Sequence, residues 1–142
     1  MRALLDINVL IALLDATHQH HYAAREWLVR NIGSGWASCP ITQNGFARIL
    51  SQPTYVRPIP VAQAIALLES ATVTPHHRFW ADDISILDGA VADRTRIHGA
   101  RQLTNAYLLA LAVRHGGRLV TFDGAIPLSA VRGAQPRHVV LL

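Results

Sequence analysis

Short apolar runs alternate along the chain with segments whose apolar residues recur every three or four positions. The runs are typical of strands that are buried on both faces, as they are in a parallel sheet. They predict strands at residues 2–5, 36–39, 76–80, 118–122 and 139–142. The first and fourth of these strands lead directly into an aspartate, Asp6 and Asp123 respectively.

Helical spacing of apolar residues fills most of the chain between these strands. The first two helices are indicated by Val9, Leu10, Leu13 and Leu14, and then by Ala23, Trp27 and Leu28. Pro40 suits the first turn of a third helix, which we expect to run to about residue 51. A fourth helix is predicted at residues 60–71.

Two further helices are predicted from capping residues in the second half of the chain. Asp82 or Asp83 is expected to cap a short helical stretch at residues 84–87. Thr104 is expected to cap a helix at residues 105–115, which the following glycine pair ends.

Strands that alternate with helices predict one α/β domain over residues 1–142. We expect a three-layer α/β/α sandwich around a mostly parallel sheet of four or five strands. In such sheets the functional site lies beyond the carboxyl ends of the strands. The apolar stretch at residues 106–113 is too short to span a bilayer, and Asp6 interrupts any apolar signal core. We therefore expect a soluble, cytoplasmic protein without a membrane partner.

The composition is that of a folded domain with an excess of positive charge. Apolar residues make up 51% of the chain and charged residues 15%, which excludes a disordered protein. The net charge is +4, and every basic residue is an arginine. Arginine binds phosphate through paired hydrogen bonds and suits an RNA-binding surface, but a GC-rich gene would give the same composition. Both explanations stay open.

Cysteine and histidine do not form a recognisable zinc motif. Cys39 is the only cysteine, so an intrachain disulfide and a cysteine-based zinc site are excluded, and we interpret it as a small buried residue. His18, His20 and His21 lack the i, i+4 spacing of a helical zinc site. We interpret them as exposed histidines at a helix start, with an RNA contact as the lesser alternative.

The two aspartates at strand ends are the main candidates for chemistry. In a parallel sheet both side chains emerge at the same edge, so Asp6 and Asp123 can converge. Two adjacent carboxylates repel each other unless a cation lies between them, and oxygen-only ligands favour Mg²⁺ or Mn²⁺. The alternative is that each aspartate only caps the helix that follows it.

Four segments resemble the PIN-domain family, and within it the VapC-type toxins of bacterial toxin–antitoxin pairs. They are LLDINVL at residues 4–10, TQNGFARI at 42–49, RQLTNAYLLALA at 101–112 and LVTFD at 119–123. They occur in the family's order and cover nearly the whole chain. The resemblance implies a PIN-like fold and an Mg²⁺- or Mn²⁺-dependent endoribonuclease that is inhibited by a cognate antitoxin and forms a homodimer.

The match to the family's metal site is incomplete. The family pattern places four acidic residues around Mg²⁺, and Asp6 and Asp123 correspond to two of them. The other two positions hold Gln43 and Asn105, which keep the shape of the acids and lose their charge. Asp6, Asn105 and Asp123 are thus the implied catalytic and metal-binding residues, with Gln43 peripheral. Whether Asn105 is natural or was introduced to inactivate the protein stays open.

Three more residues could support this site. Asn8 could orient Asp6 or simply cap a helix, and Thr121 could hydrogen-bond the site or simply be a strand threonine. Arg48 could contact phosphate or pair with the acids, but an ordinary structural arginine is equally compatible with its position.

Three functions therefore remain open at the level of sequence. The first is a metal-dependent endoribonuclease toxin that acts on RNA. The second is an impaired PIN domain that binds antitoxin and RNA without cutting, as the amides Gln43 and Asn105 suggest. The third is a phosphatase-like enzyme with Asp6 as a covalent nucleophile, which we rank last.

Overall fold

The computed structural model describes residues 1–142 and contains five α-helices and five strands, together with four 3₁₀ helices of three residues each. The helices are α1 (Ile7–Leu14), α2 (His21–Asn31), α3 (Pro40–Leu50), α4 (Val61–Thr72) and α5 (Ala100–Arg114). The strands are β1 (Ala3–Leu5), β2 (Trp36–Ser38), β3 (His77–Phe79), β4 (Arg118–Thr121) and β5 (Val139–Leu141). None of the helices is long and apolar enough to cross a membrane.

The five strands form one sheet in the order β3-β2-β1-β4-β5, and all neighbouring strands are parallel. β1 lies at the centre and β4 beside it, with Leu5 paired to Val120. The backbone N–H of Asp6 continues this pairing by donating to the carbonyl of Val120 at 3.0 Å. The carboxyl ends of the two strands therefore lie side by side, and the predicted parallel sheet is confirmed.

Side-chain alternation along the central strand divides the core into two layers. Ala3 and Leu5 pack on one face against residues of α1, α2, α3 and α4, and Leu4 packs on the other face against α5. Each fully buried leucine contributes about 1.5–3 kcal/mol through removal of its apolar surface from water. The α/β/α sandwich predicted from the sequence is confirmed.

Helix α3 makes a close approach to the start of α1. A Cβ atom at Gly45 would overlap the side chain of Ile7, so any other residue at this position would force that side chain to move. Ile7 directly follows Asp6, and the contact therefore fixes α3 against the first turn of the helix that Asp6 opens.

The prediction of a short helix at residues 84–87 is wrong. The segment consists of turns and bends without a helix. A four-residue stretch cannot offset the cost of helix nucleation by itself. Asp83 instead lies 3.2 Å from the imidazole of His115, the C-cap residue of α5. It therefore contacts a residue distant in sequence and does not cap a local helix.

The predicted start of the last long helix is also wrong. α5 begins at Ala100, with Gly99 as the N-cap residue, and Thr104 lies inside the helix. The residues between them are good helix formers, so no local signal stops the helix from extending towards the amino terminus. Asn105 consequently lies in the second turn of α5 and not at its start.

A hydrogen bond from Tyr55 to Asp15 ties the connection between α3 and α4 to the end of α1. Together with the donors of Thr17, this bond lowers the pKa of Asp15, and burial and the Asp15 contact raise the pKa of Tyr55 to about 12. Because the folded-state pKa of Asp15 is depressed, its stabilising effect is present above the ordinary value of about 3.9 and is lost as the pH falls through the folded value.

We expect Tyr55→Phe to lower the free energy of unfolding by about 1 kcal/mol at pH 7. The difference from the wild type should shrink at pH 3, where Asp15 is becoming protonated. Urea unfolding at both pH values measures it, with Tyr22→Phe as the control because Tyr22 is 73% exposed. An equal difference at both pH values would contradict the assignment to Asp15.

Candidate active site at the carboxyl edge of the sheet

Asp6 lies at the end of β1 and is the N-cap residue of α1. One carboxylate oxygen, Oδ1, accepts a hydrogen bond from the backbone N–H of Ile7 at 2.7 Å. The other, Oδ2, accepts from the Thr121 hydroxyl, also at 2.7 Å. The residue is only 6% exposed, so the protein fixes this carboxylate in position at the sheet edge.

Burial raises the pKa of Asp6, and the negative charge of Asp123 raises it further. The hydrogen bonds from Thr121 and Ile7 act in the opposite direction without cancelling the effect of burial. The ionised form of Asp6 therefore lacks full compensation within the chain. A cation at this edge of the sheet would supply the missing positive charge.

Asp123 follows β4 and is held by a different set of donors. Its Oδ1 accepts from the backbone N–H of Ala125 at 2.9 Å, and its Oδ2 accepts from the Asn105 side-chain amide at 3.0 Å. The Ala125 N–H is the largest influence that lowers the pKa of Asp123, with smaller contributions from Asn105 and Arg101. The two aspartates thus have pKa values shifted in opposite directions.

The hydroxyl of Thr121 joins the two aspartates. It donates to the Asp6 carboxylate and accepts from the backbone N–H of Asp123 at 3.0 Å. Thr121 itself is fully buried, so its position cannot relax into solvent. Asp6 and Asp123 are therefore brought together through one shared side chain, in the supporting position that the sequence suggested for Thr121.

Asn105 completes the central group from the α5 side of the sheet. It is 6% exposed, and besides its bond to Asp123 its amide lies 3.5 Å from the carbonyl of Ala125. The structure thus brings Asp6, Asn105 and Asp123 to one edge of the sheet. In this arrangement the amide of Asn105 donates a hydrogen bond to the carboxylate of Asp123. An ionised acid at position 105 would repel this carboxylate.

Arg101 lies one helical turn before Asn105, and sequence reasoning assigned it no role. Its guanidinium is 3.4 Å from Oδ1 of Asp123, and its side chain is 81% exposed. The signal that could have identified it is the i, i+4 spacing to Asn105, which places both side chains on one face of α5. An exposed ion pair of this kind adds little stability, so Arg101 is free to exchange partners.

Gln43 lies in a separate polar cluster on the neighbouring strand and helix. Its amide donates to the Ser38 hydroxyl at 3.0 Å, and this hydroxyl is 2.8 Å from Nε2 of His77. Burial lowers the pKa of His77, and the positive charge of Arg2 lowers it further. No hydrogen bond joins Gln43 to the aspartates. The sequence analysis gave Ser38 no role, although Ser38 is the last residue of β2 and the functional site of a parallel sheet lies at the carboxyl ends of its strands.

Asn8 and Arg48 form no side-chain hydrogen bond or ion pair with the aspartates. Asn8 is exposed and forms no side-chain hydrogen bond, and Asp6 is the N-cap residue of this helix. Arg48 is exposed on α3, where it lines a groove between α3 and α4 and forms no ion pair. The hydrogen bonds that hold the aspartates therefore involve neither residue, and a supporting role of either towards a ligand stays a prediction.

The donor set at the sheet edge fits a hard divalent cation. No group of three or more histidine, cysteine, aspartate or glutamate side chains converges anywhere in the chain, and this includes His18, His20 and His21. The edge presents two carboxylates, and Mg²⁺ and Mn²⁺ bind such oxygen ligands, whereas the Asn105 amide and the Thr121 hydroxyl act there as hydrogen-bond donors. The two negative charges match the charge of one such ion.

This fold is that of a PIN domain. The family model described as PIN domain matches residues 3–131, and the chain belongs to this family. Within it the chain belongs with the VapC-type toxins. It is 58% identical to Ribonuclease VapC44 of Mycobacterium tuberculosis over all of both chains, and 44% identical to Ribonuclease VapC39 of that organism over 94% of this chain and 96% of the relative.

Solved structures with a similar fold include two from this group. One is Mycobacterium tuberculosis VapC20, a toxin that cleaves the sarcin-ricin loop; it has a TM-score of 0.65 and 12% identity over 94% of this chain and 99% of that one. The other is VapBC2 from Rickettsia felis bound to a DNA fragment from their promoter, with a TM-score of 0.57 and 16% identity over 87% of this chain and 89% of that one. At these identities the likeness concerns the fold.

Proposed function

We propose that this chain is a toxin endoribonuclease that hydrolyses RNA phosphodiester bonds with the aid of Mg²⁺ or Mn²⁺. The observation that carries the proposal is the link between Asp6 and Asp123 through the Thr121 hydroxyl. This hydroxyl hydrogen-bonds the carboxylate of Asp6 and the backbone N–H of Asp123, and the two acids lie beyond neighbouring strand ends at one edge of the parallel sheet. Relatives that match 99% or more of this chain are named ribonucleases, and these names support the choice of reaction.

Asp6 and Asp123 would hold the cation, with Asn105 as the nearest further side chain. When bound, a divalent ion lowers the pKa of water for attack on phosphorus and offsets negative charge on the phosphate. The protein contributes a fixed geometry, since each carboxylate oxygen of both aspartates has a hydrogen-bond donor. The Thr121 hydroxyl keeps the Asp6 carboxylate oriented when the proton of this buried acid is lost.

Arg101 provides a positive charge at the same edge. In the structure its guanidinium is close to Asp123, and its exposure allows it to turn towards a phosphate. Arginine suits this exchange because its planar group can form paired hydrogen bonds with phosphate oxygens. We propose that Arg101 contacts the RNA backbone next to the aspartates.

A second candidate function is favoured by the contact between Asn105 and Asp123. The amide donates to a carboxylate oxygen and so partly satisfies Asp123 without any cation. A chain with two carboxylates and this amide could bind RNA and antitoxin without cutting RNA. This hypothesis predicts weak Mg²⁺ binding together with intact RNA binding.

The partners that we propose are an antitoxin protein and a second copy of this chain, in the cytoplasm. The Rickettsia felis complex, in which VapBC2 is bound to promoter DNA, supports the antitoxin. The homodimer rests on the resemblance to the family. Sedimentation of the purified chain alone, and again with its antitoxin, would measure both associations.

An RNA cleavage assay with Mn²⁺ tests the proposed function. We expect cutting with Mn²⁺ and none with excess EDTA, and a higher melting temperature in millimolar Mn²⁺ because the ion binds only the folded state. Intact RNA together with an unchanged melting temperature would contradict the nuclease, and RNA binding under those conditions would then favour the second candidate.

A further inference from the structure

Two stacked rings lie next to the aspartates. The imidazole of His20 and the phenyl ring of Phe122 have centroids 4.7 Å apart and planes 25° apart. Phe122 directly precedes Asp123, so the ring pair lies one residue from a carboxylate of the site. The pair unites the start of α2 with the end of β4, two elements that are distant in sequence.

The ring pair lies on the opposite side of the sheet from Asn105. Phe122 packs against the core layer formed with α1, α2, α3 and α4, whereas α5 packs against the other layer. The aspartates at the strand ends are therefore flanked by the two rings on one side. Asn105 and Arg101 flank them on the other.

His20 is held in place by its backbone, and its exposed ring also lies near the tilted ring of His18, with centroids 5.7 Å apart. Its N–H donates to the imidazole of His18 at 3.0 Å, and its carbonyl accepts from the N–H of Ala24 at 3.0 Å. The residue is exposed, and its ring forms no hydrogen bond. A ring that is ordered and exposed in this way loses little conformational entropy when a ligand stacks on it.

We propose that His20, backed by Phe122, is a stacking subsite for one nucleobase of single-stranded RNA next to the cation site proposed at Asp6 and Asp123. The inference rests on the proposed function and adds a substrate-binding position to it. Stacking on an aromatic ring requires an unpaired base, so the subsite favours loops and single strands over duplex RNA. It tolerates different bases, because each has a π-face.

Binding of short labelled RNA measures the subsite. Fluorescence anisotropy with a single-stranded hexanucleotide is recorded with Ca²⁺ in place of Mg²⁺, and a gel verifies that the RNA stays intact. We expect His20→Ala to weaken binding by about five-fold to a hundred-fold, the usual range for loss of one stacked base. His20→Phe should retain most of the affinity, because it keeps a ring in the same place.

The control variant is Tyr22→Ala, which removes an exposed ring from the same segment that stacks on no other ring. It should leave the affinity unchanged. Hexanucleotides with one abasic position should identify the stacked base. In the wild type, removal of the base at one position should lower the affinity. In His20→Ala, removal of the same base should leave the affinity unchanged.

Two results would overturn the inference in different ways. If His20→Ala lowers the melting temperature and leaves RNA affinity and the abasic pattern unchanged, the ring pair only fastens α2 to the end of β4, and the proposed nuclease function stands. If the wild type binds no hexanucleotide at all, the proposed function fails, and the subsite fails with it.

Discussion

Replacing Asp6 with asparagine should lower RNA cleavage by at least about 100-fold and leave the fold intact. The change removes one of the two carboxylates that could hold a divalent ion, and such ligands supply the charge on which the ion's binding depends. The asparagine side-chain oxygen can still accept one of the two hydrogen bonds that Ile7 and Thr121 donate to Asp6. Gel analysis of RNA cleaved at a fixed Mn²⁺ concentration measures the effect.

The same variant should be at least as stable as the wild type at pH 7. Burial raises the folded-state pKa of Asp6, so the protonated form is favoured by the fold. Any stabilisation from Asp6 is present below its ordinary pKa of about 3.9 and is lost as the pH rises through the raised folded value. At pH 7 the wild type carries the cost of a buried charge, and asparagine removes it.

Glu26→Gln is the matched control for Asp6→Asn. It makes the same change of charge at a carboxylate that pairs with Arg30 on the surface of α2. Cleavage should not respond to it. Undiminished cleavage by Asp6→Asn would show that Asp6 is not a metal ligand. Equal losses of cleavage in both variants would show that the change in net charge is the cause.

The positions of the aspartates could be predicted because they depend on one general rule. Parallel strands end at a common edge; Asp6 directly follows the buried strand β1, and Asp123 comes two residues after the mostly buried β4. A hydrogen bond from Thr121 to the site was also accessible, since Thr121 lies two residues before Asp123 at the end of its strand. The layers followed from the alternation of strands and helices.

Other parts of the site depend on contacts that local sequence does not encode. The start of α5 could not be placed, because the residues from Ala100 to Thr104 favour a helix without any break, and Thr104 had the features of a cap. The cluster around Gln43 requires His77 from β3, which is distant in sequence from β2 and α3. The stacking of His20 on Phe122 likewise depends on how the connection between α1 and α2 packs over the sheet.

The variant that best separates an enzyme from a binding module is Asn105→Asp. Its side chain keeps nearly the same volume, so the packing of α5 should survive. It replaces the amide donor to Asp123 with a second negative charge at hydrogen-bond distance, and two such charges favour a cation between them. Because Asn105 lies in the second turn of α5, we attribute the effect to Asp123 and not to the helix dipole.

We expect Mn²⁺ affinity to rise about ten-fold or more in Asn105→Asp, and cleavage to rise with it. Without metal the variant should melt at a lower temperature than the wild type, because the two acids repel each other. Calorimetric titration, melting curves with and without Mn²⁺, and the RNA assay measure the three effects. Gln102→Glu is the control, since it adds the same charge on α5 and keeps the acceptor for the N–H of His98.

The combination of Asn105→Asp with Asp6→Asn decides how a gain in cleavage is interpreted. If cutting depends on an ion held between the strand ends, loss of the Asp6 carboxylate should abolish the gain even though Asp123 and the new acid remain. Cleavage that persists in the double variant would place the ion elsewhere. Unchanged Mn²⁺ affinity and cleavage in Asn105→Asp alone would show that residue 105 is not a metal ligand. If the wild type nevertheless cleaves RNA, Asp6 and Asp123 would be its only acidic ligands.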